Sequence, residues 1–317
     1  MATKGTSSQK ALRQKTLKNS IHCSGIGLHS GIRVDMALHP AEAGSGIRFR
    51  RSDLGNVEIP ATWEHAIETP LSSTLVGQDG VKIATIEHLM SALSGCGIDN
   101  AVVELSGPEV PAMDGSAAPF VFLIECAGAT EQNAPRRALE IRKEVTVSDP
   151  HRSATVKPGA GLSIDFEIDF DSALIQRQTW SVQVSQTTYK RDVSRARTFG
   201  FLHEVDKLRE MGLALGGSLD NAIVINGEGI LNDGGLRYEN EFVRHKVLDL
   251  IGDLYLAGGP VIGAVAGMRA GHGLTLRLLQ ALFADESAWA WREMTEADLD
   301  LPMGPSAAPA RAVAAPA

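Results

Sequence analysis

The segment FVRHKVLDLIGDLYLAG (242–258) constrains this chain most. Its apolar residues Phe242, Val243, Val247, Leu248, Leu250, Ile251 and Leu254 cover most of a helical circumference. A helix that is apolar nearly all round is normally buried. Yet His245, Asp249 and Asp253 recur every four residues along one slowly drifting stripe. Buried carboxylates are costly unless paired or metal-bound. Side chains four apart on a helix lie about 5–6 Å from each other at Cβ. That suits two ligands of one metal ion, with an outer carboxylate to orient an imidazole. The same pattern also fits a His–Asp hydrogen bond satisfied inside a helical core.

A second piece, Thr85-Ile86-Glu87-His88, opens a helix directly after a strand. A histidine in a first turn can point off the helix end into a cleft, and Glu87 can act there as a general base on an activated water. The plainer reading is a glutamate favoured by the helix dipole beside a surface histidine. Taken together, the two pieces supply His88, His245 and Asp249. Two imidazoles and a carboxylate are a common catalytic zinc set that leaves a position for water. The short HExxH motif is absent, so the ligands would meet across the fold.

Three further stretches carry chemistry-bearing residues. Arg269-Ala270-Gly271-His272-Gly273 joins a strand to a helix, and its glycines free the backbone to present the imidazole. A protonated His272 there can stabilise an oxyanion and protonate a leaving amine; an ordinary turn with an exposed histidine reads equally well. In SRARTFG (194–200), Thr198 and Phe199 offer an oxyanion donor and a pocket-lining ring, or simply a basic loop. Lys143 and Lys246 can contact phosphates or be solvated. The loop Gly25-Ile-Gly-Leu-His-Ser-Gly31 has neither of the common nucleotide-binding glycine spacings.

Composition narrows the class. Of 317 residues, 44% are hydrophobic and 21% charged, which is ordinary for a globular chain, and the net charge of −8 gives no basic surface for nucleic acid. Three cysteines, Cys23, Cys96 and Cys126, with no CxxC pair, argue against a disulfide scaffold and for a reducing, cytoplasmic setting. The N-terminus lacks the apolar region of a secretory signal, and no apolar run reaches membrane-spanning length.

Along the chain, strands are expected at Thr16–Cys23, Ile32–Leu38, Ile47–Arg50 and Asn100–Leu105. Helices are expected at Ile86–Leu93, with Thr85 as N-cap, and near Ala117–Cys126. Polar Glu131–Arg137 shows no periodicity and is the expected boundary between domains 14–130 and 138–290. Beyond it, strands are expected at Leu139–Val147, His151–Lys157, Leu162–Ile168, Thr179–Val184, Ala222–Ile225 and Val261–Met268. Helices are expected at Leu202–Met211, Asn240–Ala257 and Leu274–Phe283. Residues 1–13 and the Ala/Pro-rich 302–317 read as disordered tails. The similar order of elements in each half points to two related α+β domains.

At these residues the sequence strongly resembles the UDP-3-O-acyl-N-acetylglucosamine deacetylases of lipid A biosynthesis. The matching segments are LKNSIHCSGIGLHSG (17–31), ATIEHLMSALSGCGIDNAVVEL (84–105), PEVPAMDGSAAPF (108–120), SRARTFGF (194–201), the LGGSLDNAIV stretch, FVRHKVLDLIGDL (242–254) and GHG (271–273). The resemblance implies two two-layer α+β sandwich domains with the active site between them and one Zn²⁺, or Fe²⁺, held by His88, His245 and Asp249. It implies Glu87 as general base, His272 as electrophile or acid, Asp253 orienting His272, and Thr198 at the oxyanion. It implies substrate contacts from Lys246, Phe199, Lys143 and Leu28. The Leu202–Val224 stretch would border an apolar passage for a fatty acyl chain. In Pro70-Leu-Ser-Ser-Thr74, some relatives carry Cys or Met. The expected substrate is a UDP-linked acylated glucosamine, and the expected state is a monomer with at most transient membrane contact. The competing expectations are a zinc amidohydrolase of another acylated sugar and a non-enzymatic sugar-nucleotide binder.

Overall fold

The computed structural model describes residues 10–299. The expected tails therefore lie outside the described residues at 1–9 and 302–317. Residues 10–13 are ordered: Ala11 bridges Thr295, and the Leu12 N–H donates to the Met294 carbonyl at 2.9 Å.

The fold is α+β. In the first half, a five-stranded sheet runs in the order Ile21–Ile26, Arg33–Pro40, Ala101–Leu105, Ile47–Arg51, Val57–Pro60. Alternation explains its inner strands. Ile47 and Phe49 point into the core, while Arg48 and Arg50 pair with Glu58 on the outer face. Helices α1 (Glu87–Cys96) and α2 (Ala118–Ala127) pack together, and α2 packs on the sheet. In the second half, Val261–Met268 is the hub of a seven-stranded sheet. It pairs in parallel with Leu162–Asp169 and Arg137–Ile141, and antiparallel with Arg152–Lys157. The short helix α3 (Gln186–Thr188), α4 (Leu202–Glu210), α5 (Glu241–Leu254) and α6 (His272–Ala284) are interspersed among the strands of this half.

Helix α1 packs along α5, and Gly252 permits the approach. A Cβ at that position would overlap the Glu87 carbonyl. The contact brings the start of α1, with Glu87 and His88, over the C-terminal half of α5, with Asp249 and Asp253.

Several sequence expectations need correction. Thr16–Cys23 is two strands, because the chain turns at Lys18–Ser20 and changes sheets. Arg13–Leu17 pairs with Ala129–Pro135, whereas Ile21–Ile26 pairs with Arg33–Pro40. Leu139–Val147 likewise breaks at Arg142-Lys143-Glu144 into Arg137–Ile141 and Val145–Asp149. The supposedly irregular Glu131–Arg137 lies mostly in the strand Ala129–Pro135, which is exposed or half-buried throughout. Its backbone ladder, not an apolar face, makes it a strand. Thr85 is not the N-cap of α1. Ile86 takes that position without a side-chain bond. Thr85 has φ 57, and its hydroxyl donates instead to Glu109 at 2.9 Å. The short strands Ala66–Glu68, Ser73–Val76 and Lys82–Ala84, too brief to show periodicity, form a three-stranded sheet leading into α1.

Candidate metal centre and cleft

The stripe on α5 is buried: His245 is 2%, Asp249 5% and Asp253 3% exposed. His88 reaches it from the first turn of α1. Ligand atoms of His88, His245 and Asp249 all lie within 4.8 Å of one another. Nε2 of His88 is 3.5 Å from Asp249 Oδ1, Nε2 of His245 is 3.3 Å from the same oxygen, and the two rings stand edge to face at 5.0 Å.

The hydrogen bonding shows which atoms of this cluster are free to act as donors to a cation. His245 Nδ1 lies 3.1 Å from the Ala196 carbonyl, which can only accept, so Nδ1 carries the proton and Nε2 presents a lone pair. Burial lowers the His245 pKa to about 3, which keeps the ring neutral. Burial would raise the Asp249 carboxyl, but His245, Lys246 and His88 outweigh it and hold the group well below the usual range. A carboxylate oxygen thus faces a lone pair with no proton between them, and Asp249 Oδ1 has no hydrogen-bond partner although it is buried. A divalent cation resolves that repulsion, and two imidazoles with a carboxylate fit one. Asp249 Oδ2 accepts from Lys246 Nζ at 2.8 Å.

Beside the triad sits a second set. His272 Nδ1 bonds Asp253 Oδ2 at 2.8 Å, and its Nε2 lies 3.8 Å from Glu87 Oε1 and 3.9 Å from Asp249 Oδ2. Burial works against charge on this ring, but Asp253 and Glu87 outweigh it and raise its pKa to about 9. Burial also raises the Glu87 carboxyl, with His272 and His88 pulling the other way. Ser73, at the start of the strand Ser73–Val76, ties the set together. Its hydroxyl donates to Asp253 Oδ1 at 2.6 Å and its N–H to Glu87 Oε2 at 3.0 Å.

Of these groups His272 reaches the wall of a cavity of about 740 Å³, as does Lys246, whose ammonium bonds Asp249. Thr198, Lys246 and His272 supply polar groups to its wall, while Leu28, Phe199, Leu202, Val205, Leu208, Leu219 and Leu231 form an apolar part. Phe199 packs its ring on Phe242 at 4.9 Å and lies 6.3 Å from His245. Lys143 is the exception among the expected residues. It is absent from the cavity wall, and its ammonium is held by Ser287 and, at 3.8 Å, by Asp285.

A model of the UDP-3-O-acyl N-acetylglycosamine deacetylase family matches residues 14–284. The chain belongs to this family. Among similar proteins, the UDP-3-O-acyl-N-acetylglucosamine deacetylase of Marinobacter nauticus is 54% identical over 88% of this chain and 92% of its own length. That of Hahella chejuensis is 54% identical over 88% of this chain and 93% of its own. That of Acidithiobacillus ferrooxidans is 53% identical over 90% and 94%.

Some residues of this deacetylase-family site escaped sequence reasoning. Ser73 lies in the noted Pro70–Thr74 stretch, but nothing local marks its hydroxyl as the partner of Asp253. Glu109 accepts the His29 and Ser30 N–H groups at 2.9 and 2.8 Å as well as the Thr85 hydroxyl, and so fixes the loop that presents Leu28. Its signal was a glutamate between the two prolines of PEVP. Among the described residues, no helix is long and apolar enough to cross a membrane.

Proposed function

We propose that this chain hydrolyses the N-acetyl group of UDP-3-O-acyl-N-acetylglucosamine, releasing acetate and UDP-3-O-acyl-glucosamine in lipid A biosynthesis. One observation carries the reading: the unpartnered, buried Asp249 Oδ1 facing two imidazole nitrogens beside a cleft that continues into an apolar passage. His88, His245 and Asp249 would hold one Zn²⁺, and Fe²⁺ suits the same donors. Bound there, the metal supplies Lewis acidity, bringing the pKa of a water toward about 7 and polarising the acetamide carbonyl.

The protein's own groups account for the rest. Glu87 takes the proton from the attacking water, and burial, by raising its carboxyl above the ordinary range, makes it a stronger base. His272, held protonated by Asp253, stabilises the developing oxyanion together with the Thr198 hydroxyl. It then gives its proton to the departing amine as the C–N bond breaks. Acetate and a free sugar amine result. Lys246 and Phe199 contact the substrate, and Leu28 with the Leu202–Leu231 wall takes the acyl chain. We place the domain boundary at 131–137 and the working state as a cytoplasmic monomer.

The test is acetate release from acylated and unacylated UDP-N-acetylglucosamine, run beside elemental analysis of the purified protein. The expected result is about one divalent metal per chain and a strong preference for the acylated sugar. A protein without stoichiometric metal, or one indifferent to the acyl chain, overturns the reading.

A further inference from the structure

Glu241 extends the α5 stripe by one turn. Glu241, His245, Asp249 and Asp253 stand at a spacing of four along one helix, and Glu241 is 0% exposed. The proposed chemistry does not use it, yet its carboxylate is densely bonded. Oε1 accepts the Arg197 N–H at 3.0 Å and Arg197 Nε at 2.9 Å. Oε2 accepts Arg197 Nη2 at 3.2 Å and the Arg237 N–H at 2.5 Å. The Arg197 guanidinium also donates to the Gly235 carbonyl at 2.7 Å. A buried carboxylate with this many charge-assisted bonds tolerates little displacement of its partners.

What it holds is the backbone at 196–198. The residue before Arg197 is Ala196, whose carbonyl accepts from His245 Nδ1. The residue after it is Thr198, which lines the cleft. One helix therefore carries a metal-facing imidazole and, one turn earlier, the anchor for the segment that fixes that imidazole's proton. We propose that Glu241 is a positioning residue for the metal centre. Through Arg197 it fixes the Ala196 carbonyl that sets the His245 tautomer, and it seats Thr198 at the cleft. The proposal rests on His245 being a ligand, as read above.

The experiment compares Glu241→Gln with Arg197→Lys and with Tyr189→Phe. Glu241→Gln keeps the shape but loses the charge. Arg197→Lys cannot span Glu241 and Gly235 together, and it decides the question where Glu241→Gln does not fold. Tyr189→Phe removes a buried hydroxyl bond of 2.9 Å to Ser91 and leaves every bond of Glu241 and Arg197 in place. Metal affinity is measured on the full chain by competition with a chromophoric chelator. In metal-stripped full-length protein, the ¹⁵N shifts of the His245 ring report its tautomer.

The expected result is a loss of about tenfold in metal affinity and a change from one Nδ1–H tautomer to a mixture in Glu241→Gln and Arg197→Lys, with neither change in Tyr189→Phe. Wild-type affinity and an unchanged His245 signal in a folded Glu241 or Arg197 variant overturn the proposal. So do equal changes in Tyr189→Phe, which would mark a general loss of packing. If the wild-type protein binds no metal, the deacetylase reading falls, while the tautomer comparison still judges Glu241.

Discussion

At the candidate metal centre beneath the cleft, His88, His245 and Asp249 are at most 5% exposed, and bonds to Ala196 and Lys246 hold two of them. At the apolar rim, Leu71, Leu202, Leu219 and Leu231 are 40% to 54% exposed, and helix α4 buries none of its residues. The floor is set in advance by hydrogen bonds and leaves one charged oxygen unpartnered. The rim is set by shape alone, with few contacts behind it, as expected of a region of low local stability. Preorganisation sits where charge develops during reaction, and adaptability sits where a flexible chain has to fit.

The comparison breaks most visibly at the proposed ligands. His245→Ala should abolish stoichiometric metal and turnover together, as read by elemental analysis beside the acetate assay, and His88→Ala should do the same. Retained metal in either variant removes that histidine from the ligand set. Glu87→Gln should lower kcat by about 10²–10⁴ while leaving metal content unchanged; near-normal turnover would show that another group takes the proton. A rim change should behave differently. Leu208→Ala should cost about tenfold in kcat/KM with long acyl chains and little with short ones, and it should leave metal untouched. An equal loss across chain lengths would mean that the rim does not read the acyl chain.

The smallest effect concerns stability. In chelator-treated protein, His272 is raised from 6.5 to about 9 in the fold, despite burial, by Asp253 and Glu87. A group raised on folding stabilises fully below its unfolded pKa, and that contribution fades as pH climbs through the folded value. Asp253→Asn should therefore lower the unfolding free energy by on the order of 2 kcal/mol at slightly acid pH. The gap from wild type should close as pH passes about 9. A gap that widened with pH would reverse the assignment.

Much of the floor was legible because it is local. Helical periodicity places His245, Asp249 and Asp253 on one face, and the order strand, Glu87, His88 puts those two at a helix entrance. The central strands at 47–51, 101–105 and 261–268 were legible from their apolar residues. The strand Ala129–Pro135 was not, because its stability lies in a ladder with Arg13–Leu17 rather than in its own pattern. Thr85 resembled an N-cap by composition, but Glu109, far from it in the chain, took its hydroxyl.

The sequence by itself determined the residue types of the centre, the helix that carries most of them and, through its motifs, the family to which the chain belongs. Tertiary structure alone decided which oxygen of Asp249 both imidazoles face, that Ser73 links Asp253 to Glu87, and that Glu241 anchors the segment orienting His245. The reason is physical. Spacing along a helix fixes a side chain's direction, whereas a hydrogen-bond partner from a distant segment is fixed only when α1 and α5 close on each other across Gly252.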